Sequence, residues 1–112
     1  MTQAVADLKS LAEELDEECA RELAAAFLED SSTAVAGIQE SIKARNFNEL
    51  KAHAHALKGC CRTIKAAAAE QLSTDLETAA ASGQWQQVAD LLPKLASSYN
   101  ELCAYINSYL AG

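Results

Sequence analysis

The sequence predicts an all-α protein: an antiparallel up-down four-helix bundle with a short extra N-terminal helix. Three observations carry this. Long segments keep their apolar residues in steps of three and four, the spacing of one helical face. Short polar turns separate those segments, which makes consecutive helices antiparallel neighbours. The chain also holds one Pro and four Gly among 112 residues, and much of its hydrophobic half is Ala, a composition suited to helices rather than a many-turned β fold. That length is expected to make one domain, 1–112, around one core.

Val5, Leu8, Ala12 and Leu15 mark the short N-terminal helix, expected to cover one end of the bundle. Asp16 is placed to cap the next helix, with Glu17 and Glu18 favourable in its first turn. That second helix is predicted to run to about Arg45. Ala24, Leu28, Ser31, Val35, Ile38 and Ile42 form its stripe, widened by Leu23 and Phe27. Ser31-Ser32-Thr33 and Gly37 weaken it without shifting its phase. Asn46 suits the left-handed residue that ends a helix, and Asn48 suits the cap of the next, with Phe47 packed under the turn.

The third helix carries Leu50, Ala54, Leu57, Cys61 and Ile64 as one apolar stripe. At about 100° per residue, His55 falls roughly 140° from the centre of that stripe and faces solvent. Lys51, Lys58, Gly59 and Arg62, at i−4, i+3, i+4 and i+7, share its side. A fourth helix begins near Ala66, with Ala69, Leu72, Leu76 and Ala79 inward, and ends at Ser82-Gly83. The last helix is the most regular: Trp85, Val88, Leu92, Leu95, Tyr99, Leu102, Ile106 and Tyr109. Pro93 inside it predicts a kink or brief break over Ala89 to Leu92.

On the third helix, Ala54-His55-Ala56-Leu57-Lys58-Gly59 resembles the A-H-x-L-K-G motif of the histidine-containing phosphotransfer (HPt) domains of bacterial phosphorelays. The order of Phe27-Leu28-Glu29-Asp30, the Asn46-Phe47-Asn48 turn and the His55 helix is similar to the family's too, so the resemblance spans roughly Leu8 to Leu110. Two features depart from it. The family usually has small residues, often Ser, where Cys60 and Cys61 stand, and a Gly where Lys65 stands. If that Gly serves a left-handed helix end, Lys65 costs about 1 kcal/mol there.

The resemblance implies that His55 accepts a phosphoryl group from a phospho-aspartate on a receiver domain and passes it to an aspartate on another receiver. The partner would be a response regulator or hybrid sensor kinase. The residue types around His55 suit that chemistry. An ordinary imidazole, with a pKa of about 6.5, is largely neutral near pH 7 and can attack phosphorus. Lys58, Lys51 and Arg62 can offset charge on the phosphoryl oxygens. Gly59 in mid-helix costs about 1 kcal/mol against Ala, so it needs a reason: close approach by a partner, or tight helix packing.

Other readings of these residues are weaker. His53 lies roughly 200° round from His55, at the edge of the stripe, and reads as a boundary residue. His53, His55, Cys60 and Cys61 do not make a metal site, because i and i+2 face opposite ways whereas helical metal pairs use i and i+4. No cofactor is expected; Mg²⁺ would come with the receiver, since no carboxylate cluster here suits it. With no nucleotide loop, the chain should not phosphorylate itself from ATP and acts as a phosphocarrier.

The net charge of −7 argues against nucleic acid or anionic membrane as a general partner. The charge is uneven. Lys43, Arg45, Lys51, Lys58, Arg62 and Lys65 fall in a stretch whose one acid is Glu49, a basic island on an acidic body. The four cysteines show no framework spacing and read as free thiols. With no signal peptide and no apolar run long enough to span a membrane, a cytoplasmic monomer is expected. Three rivals stand beside this reading. One is the dimerising histidine domain of a sensor kinase, which instead has an H-E-x-R motif beside an ATP-binding domain. The second is a bundle that binds a receiver without phosphotransfer, and the third a helical adaptor whose basic face binds an acidic partner.

Overall fold

The computed structural model describes residues 6–112, so Val5 lies outside the described part. Five helices follow in order: α1 (Leu8–Glu14), α2 (Glu17–Lys43), α3 (Phe47–Thr63), α4 (Ala67–Ala81) and α5 (Trp85–Ala111), with no strand among the described residues. The four long helices pack in a closed ring, α2 on α3, α3 on α4, α4 on α5 and α5 on α2, while α1 packs on α2. This is the order that short antiparallel connections produce. The N–H of Asp7 donates to the Ile64 carbonyl (3.3 Å), which holds the start of α1 to the end of α3.

Side-chain caps mark where α1, α2 and α3 start, whereas α4 and α5 have none. Asp7 accepts from the Ser10 N–H, and Asp16 accepts from the Cys19 N–H at 2.7 Å. The turn after α2 is built one or two residues earlier than the sequence suggests. α2 ends at Lys43, Arg45 rather than Asn46 takes the left-handed conformation (φ 52°), and Asn46 rather than Asn48 caps α3, accepting from the Glu49 N–H at 3.1 Å. Phe47 thereby opens α3 and stacks on Trp85, with ring centroids 4.1 Å apart. The Arg45 guanidinium lies 4.7 Å over the same indole, a cation–π contact that helps hold the strained residue.

The ends of α2, α3 and α4 share one hydrogen-bond pattern. The N–H groups of Asn46, Ala66 and Gln84 reach back to the carbonyls of Ser41, Cys61 and Ala79, and the left-handed residues between are Arg45, Lys65 and Gly83. Lys65 (φ 58°) therefore does occupy a left-handed helix end. Its Nζ reaches back to Glu14 (2.6 Å) and Ser10 (3.1 Å) of α1, so the strained residue also ties α1 to the end of α3.

Three further expectations change. Leu15 follows α1 as its C-cap and is 53% exposed, because the chain turns outward there to reach Asp16; the inward face of α1 is Leu8 and Leu11. On α2 the buried line is Ala20, Ala24, Phe27, Ser31, Ala34, Ile38 and Ser41, while Leu28, Val35 and Ile42 flank it. Small residues at the centre let neighbouring helices approach, and the two serines stay satisfied: Ser41 Oγ donates to the Gly37 carbonyl, and Ser31 pairs with the Tyr99 hydroxyl at 2.9 Å. α5 runs unbroken through Pro93. Both Pro93 and Ala89, whose carbonyl loses its donor, lie on the exposed side, where water can satisfy it.

Candidate functional site

The α3 stripe is placed as its spacing requires: Leu50, Ala54, Leu57, Cys61 and Ile64 have no exposed surface. The opposite face carries His55, whose side chain is 66% exposed. The two histidines point to different helices. The His53 ring lies on α2 against Gly37, so closely that a Cβ at position 37 would sit inside van der Waals contact with three ring atoms. This gives Gly37 its reason: it makes room for His53. His53 also faces Glu49 across one turn, at 3.7 Å.

His55 faces α4. Its Nδ1 lies 3.0 Å from Glu77 Oε2, and Lys58 Nζ donates to Oε1 of the same carboxylate at 2.8 Å. One helical step away, Arg62 Nε donates to Glu70 at 2.9 Å. The two pairs run in opposite directions along the chain, as an antiparallel α3–α4 hairpin requires. The Lys58 hydrogen bond, helped by His55, holds the Glu77 carboxyl below the usual carboxylate range, so it is ionised near neutral pH. An ionised carboxylate only accepts hydrogen bonds. Nδ1 is thus the nitrogen that donates to Glu77, and among the described residues no side chain hydrogen-bonds Nε2.

The electrostatic setting differs from a plain ring of cations. Lys58 and Arg62 are neutralised by Glu77 and Glu70, and Lys65 by Glu14. Lys51 is exposed and has no ion-pair partner among the described residues. Glu77 is the site residue that reading along α3 misses, because it comes from another helix. One signal was present: Glu70 and Glu77 are seven apart on one face of α4, matching the seven between His55 and Arg62.

Gly59 lies on the same exposed side, and nothing comes within 4 Å of a Cβ built there. Tight helix packing is therefore not its reason. A shallow recess between α2 and α3, lined by Phe27, Asp30, Gly59, Cys60 and Thr63, opens beside it. Burial pushes the Cys61 thiol up to about 12, and burial together with nearby Asp30 raises that of Cys60, so both thiols beside the site are disfavoured as thiolates.

Several comparisons bear on this geometry. The family model described as the Hpt domain matches residues 22–105. The crystal structure of histidine-containing phosphotransfer protein B (HptB) from Pseudomonas aeruginosa PAO1 superposes with a TM-score of 0.88, covering 98% of this chain and 97% of that one at 20% sequence identity. At that identity the likeness speaks for the fold. No curated protein sequence matches the chain. No helix among the described residues is long and apolar enough to cross a membrane.

Proposed function

The chain belongs to the Hpt domain family, and from that premise we propose that His55 is its phosphoryl carrier, loaded by a receiver-domain phospho-aspartate and unloaded onto another receiver aspartate. The observation that carries the reading is the exposed imidazole with Nδ1 tied to Glu77 and, among the described residues, no side chain bonded to Nε2. A nucleophile that must meet another protein's side chain has to stand clear of its own surface, with one nitrogen unprotonated. Membership of the family gives a role in histidine phosphotransfer; the donor, the acceptor and the atoms involved belong to this proposal. Any divalent metal would arrive with the receiver.

Lys58 is assigned the phosphoryl oxygens, and Lys51 and Arg62 the approach of an acidic partner. Lys58 is held by Glu77 at rest, so it must exchange that contact for the phosphoryl group as charge develops. The test is incubation with a panel of phosphorylated receiver domains, followed by detection of acid-labile, base-stable phosphate on this chain. Lys58→Ala should slow transfer by roughly tenfold or more, as loss of a transition-state charge contact does. Lys9→Ala, at an exposed site on α1, should leave the rate unchanged. Rates should also fall as salt rises. Equal behaviour of the two lysine variants would remove Lys58 from the site, and absence of phosphate with every receiver would favour a bundle that binds without transfer.

Gly59 is assigned to partner approach. Gly59→Ala should stabilise the protein by about 1 kcal/mol through helix propensity, since the new methyl meets open space. The same variant should take phosphate from a receiver more slowly. A stabilised variant with undiminished transfer would show that the partner does not come close at this point.

A further inference from the structure

We propose that the cleft between α2 and α5 is a binding site for a free long-chain fatty acid, its acyl chain lying between the helices and its carboxylate on Arg45. Of the four neighbouring pairs in the ring, α2 and α5 are the least closely packed. Val35, Ile38 and Ile42 of α2 face Leu92, Leu95 and Tyr99 of α5 across a cleft of about 340 Å³. Both sets step by three and then four, so each forms one apolar wall along its helix. A second cleft, of about 300 Å³, continues from the shared residues Ile42 and Leu92 to Arg45 and Trp85. Both clefts lie across the bundle from the α3–α4 face that carries His55, so this site is separate from phosphotransfer.

Width, length and charge select this occupant. From Leu92 to Tyr99 the helical rise gives about 10 Å, so a cleft of about 340 Å³ has a cross-section of roughly 30 Å². That admits a polymethylene chain and excludes a helix, whose diameter with side chains is about 10–12 Å. From Trp85 to Tyr99 the same rise gives about 21 Å of groove, close to the extended length of palmitate. The chain holds 16 acidic residues, yet none lines either cleft, and the one cation there is Arg45 at the end of the groove. Among the described residues Arg45 has no carboxylate partner. Its guanidinium lies 4.7 Å over the Trp85 ring, which steadies its plane and leaves its N–H edges to pair with a carboxylate. At the other end Tyr99 presents its ring to the cleft, while its hydroxyl pairs with Ser31 at 2.9 Å.

Titration calorimetry with palmitate, kept below its critical micelle concentration, should show one saturable site. The chain's one tryptophan, Trp85, stands at the carboxylate end, so its emission should shift as the site fills. Arg45→Gly removes the guanidinium and suits the left-handed backbone there (φ 52°), so the fold is kept. Palmitate should bind that variant roughly tenfold more weakly, the change expected when a charge-assisted pair is lost. Ala96→Phe, which fills the cleft from its exposed rim, should abolish binding at unchanged helical content. Myristate, whose chain is shorter, should bind wild type roughly tenfold more weakly than palmitate does. Hexadecyltrimethylammonium, with the same chain length and a cationic head, should lose at least as much. No saturable site for palmitate, equal affinity for the two head groups, or undiminished binding in both variants would overturn the proposal. So would a wild-type dimer, seen by sedimentation, that Ala96→Phe splits and palmitate leaves intact, because the cleft would then be a contact between two copies of the chain.

Discussion

His55→Gln is expected to abolish phosphoryl uptake while leaving stability within about 0.5 kcal/mol, the range for a surface change. Glutamine keeps polarity and approximate size, and its amide can still reach Glu77, but it has no nucleophilic ring nitrogen. The control is the other histidine. His53 shares the helix and nearly the same sequence neighbours, yet it packs on Gly37 of α2 and not on α4. His53→Gln should keep phosphate uptake and lower stability slightly, because a shorter, flatter contact with α2 is lost. The measurements are phosphoryl transfer from a receiver that loads wild type, and the unfolding midpoint, for both variants. Uptake retained in His55→Gln and lost in His53→Gln would falsify the assignment of the carrier.

Leu57→Ala should do the opposite of His55→Gln. Leu57 has no exposed surface and lies two residues from His55, on the far side of the same helix. Truncation removes buried methyl groups and leaves a cavity between α3 and its neighbours, which costs about 2–5 kcal/mol. For a domain of this size that is a large share of total stability. The side chain does not touch the imidazole face, so protein that remains folded should still take phosphate at near the normal rate. Chemical denaturation gives the first quantity, and transfer rates at low temperature without denaturant give the second. A stable Leu57→Ala variant that cannot be loaded would mean that the stripe and the site are not on opposite faces of α3.

Within each helix, the sequence determined a great deal. The register of α3 follows from its own spacing, because a helix fixes which residues share a face whatever packs against it. That is why the zero exposure of Leu50, Leu57 and Ile64 and the outward His55 were legible. Caps are equally local: Asp16 and Gly83 act within a few residues of themselves. The structure departs from these local readings where a contact from another helix decides. Arg45 takes the left-handed turn while Phe47 and Arg45 both meet Trp85 of α5, and nothing local to the turn shows that partner. Gly37 reads as a weakness until His53 of α3 is laid over it. Lys58 and Arg62 read as free cations until α4 brings Glu77 and Glu70 to them. Rotation and translation of one helix against another are set by how all four faces pack at once, and no single segment carries that information. Only the tertiary structure decided that a carboxylate stands at His55 Nδ1, because the two residues meet through the register of two antiparallel helices and not through the periodicity of either.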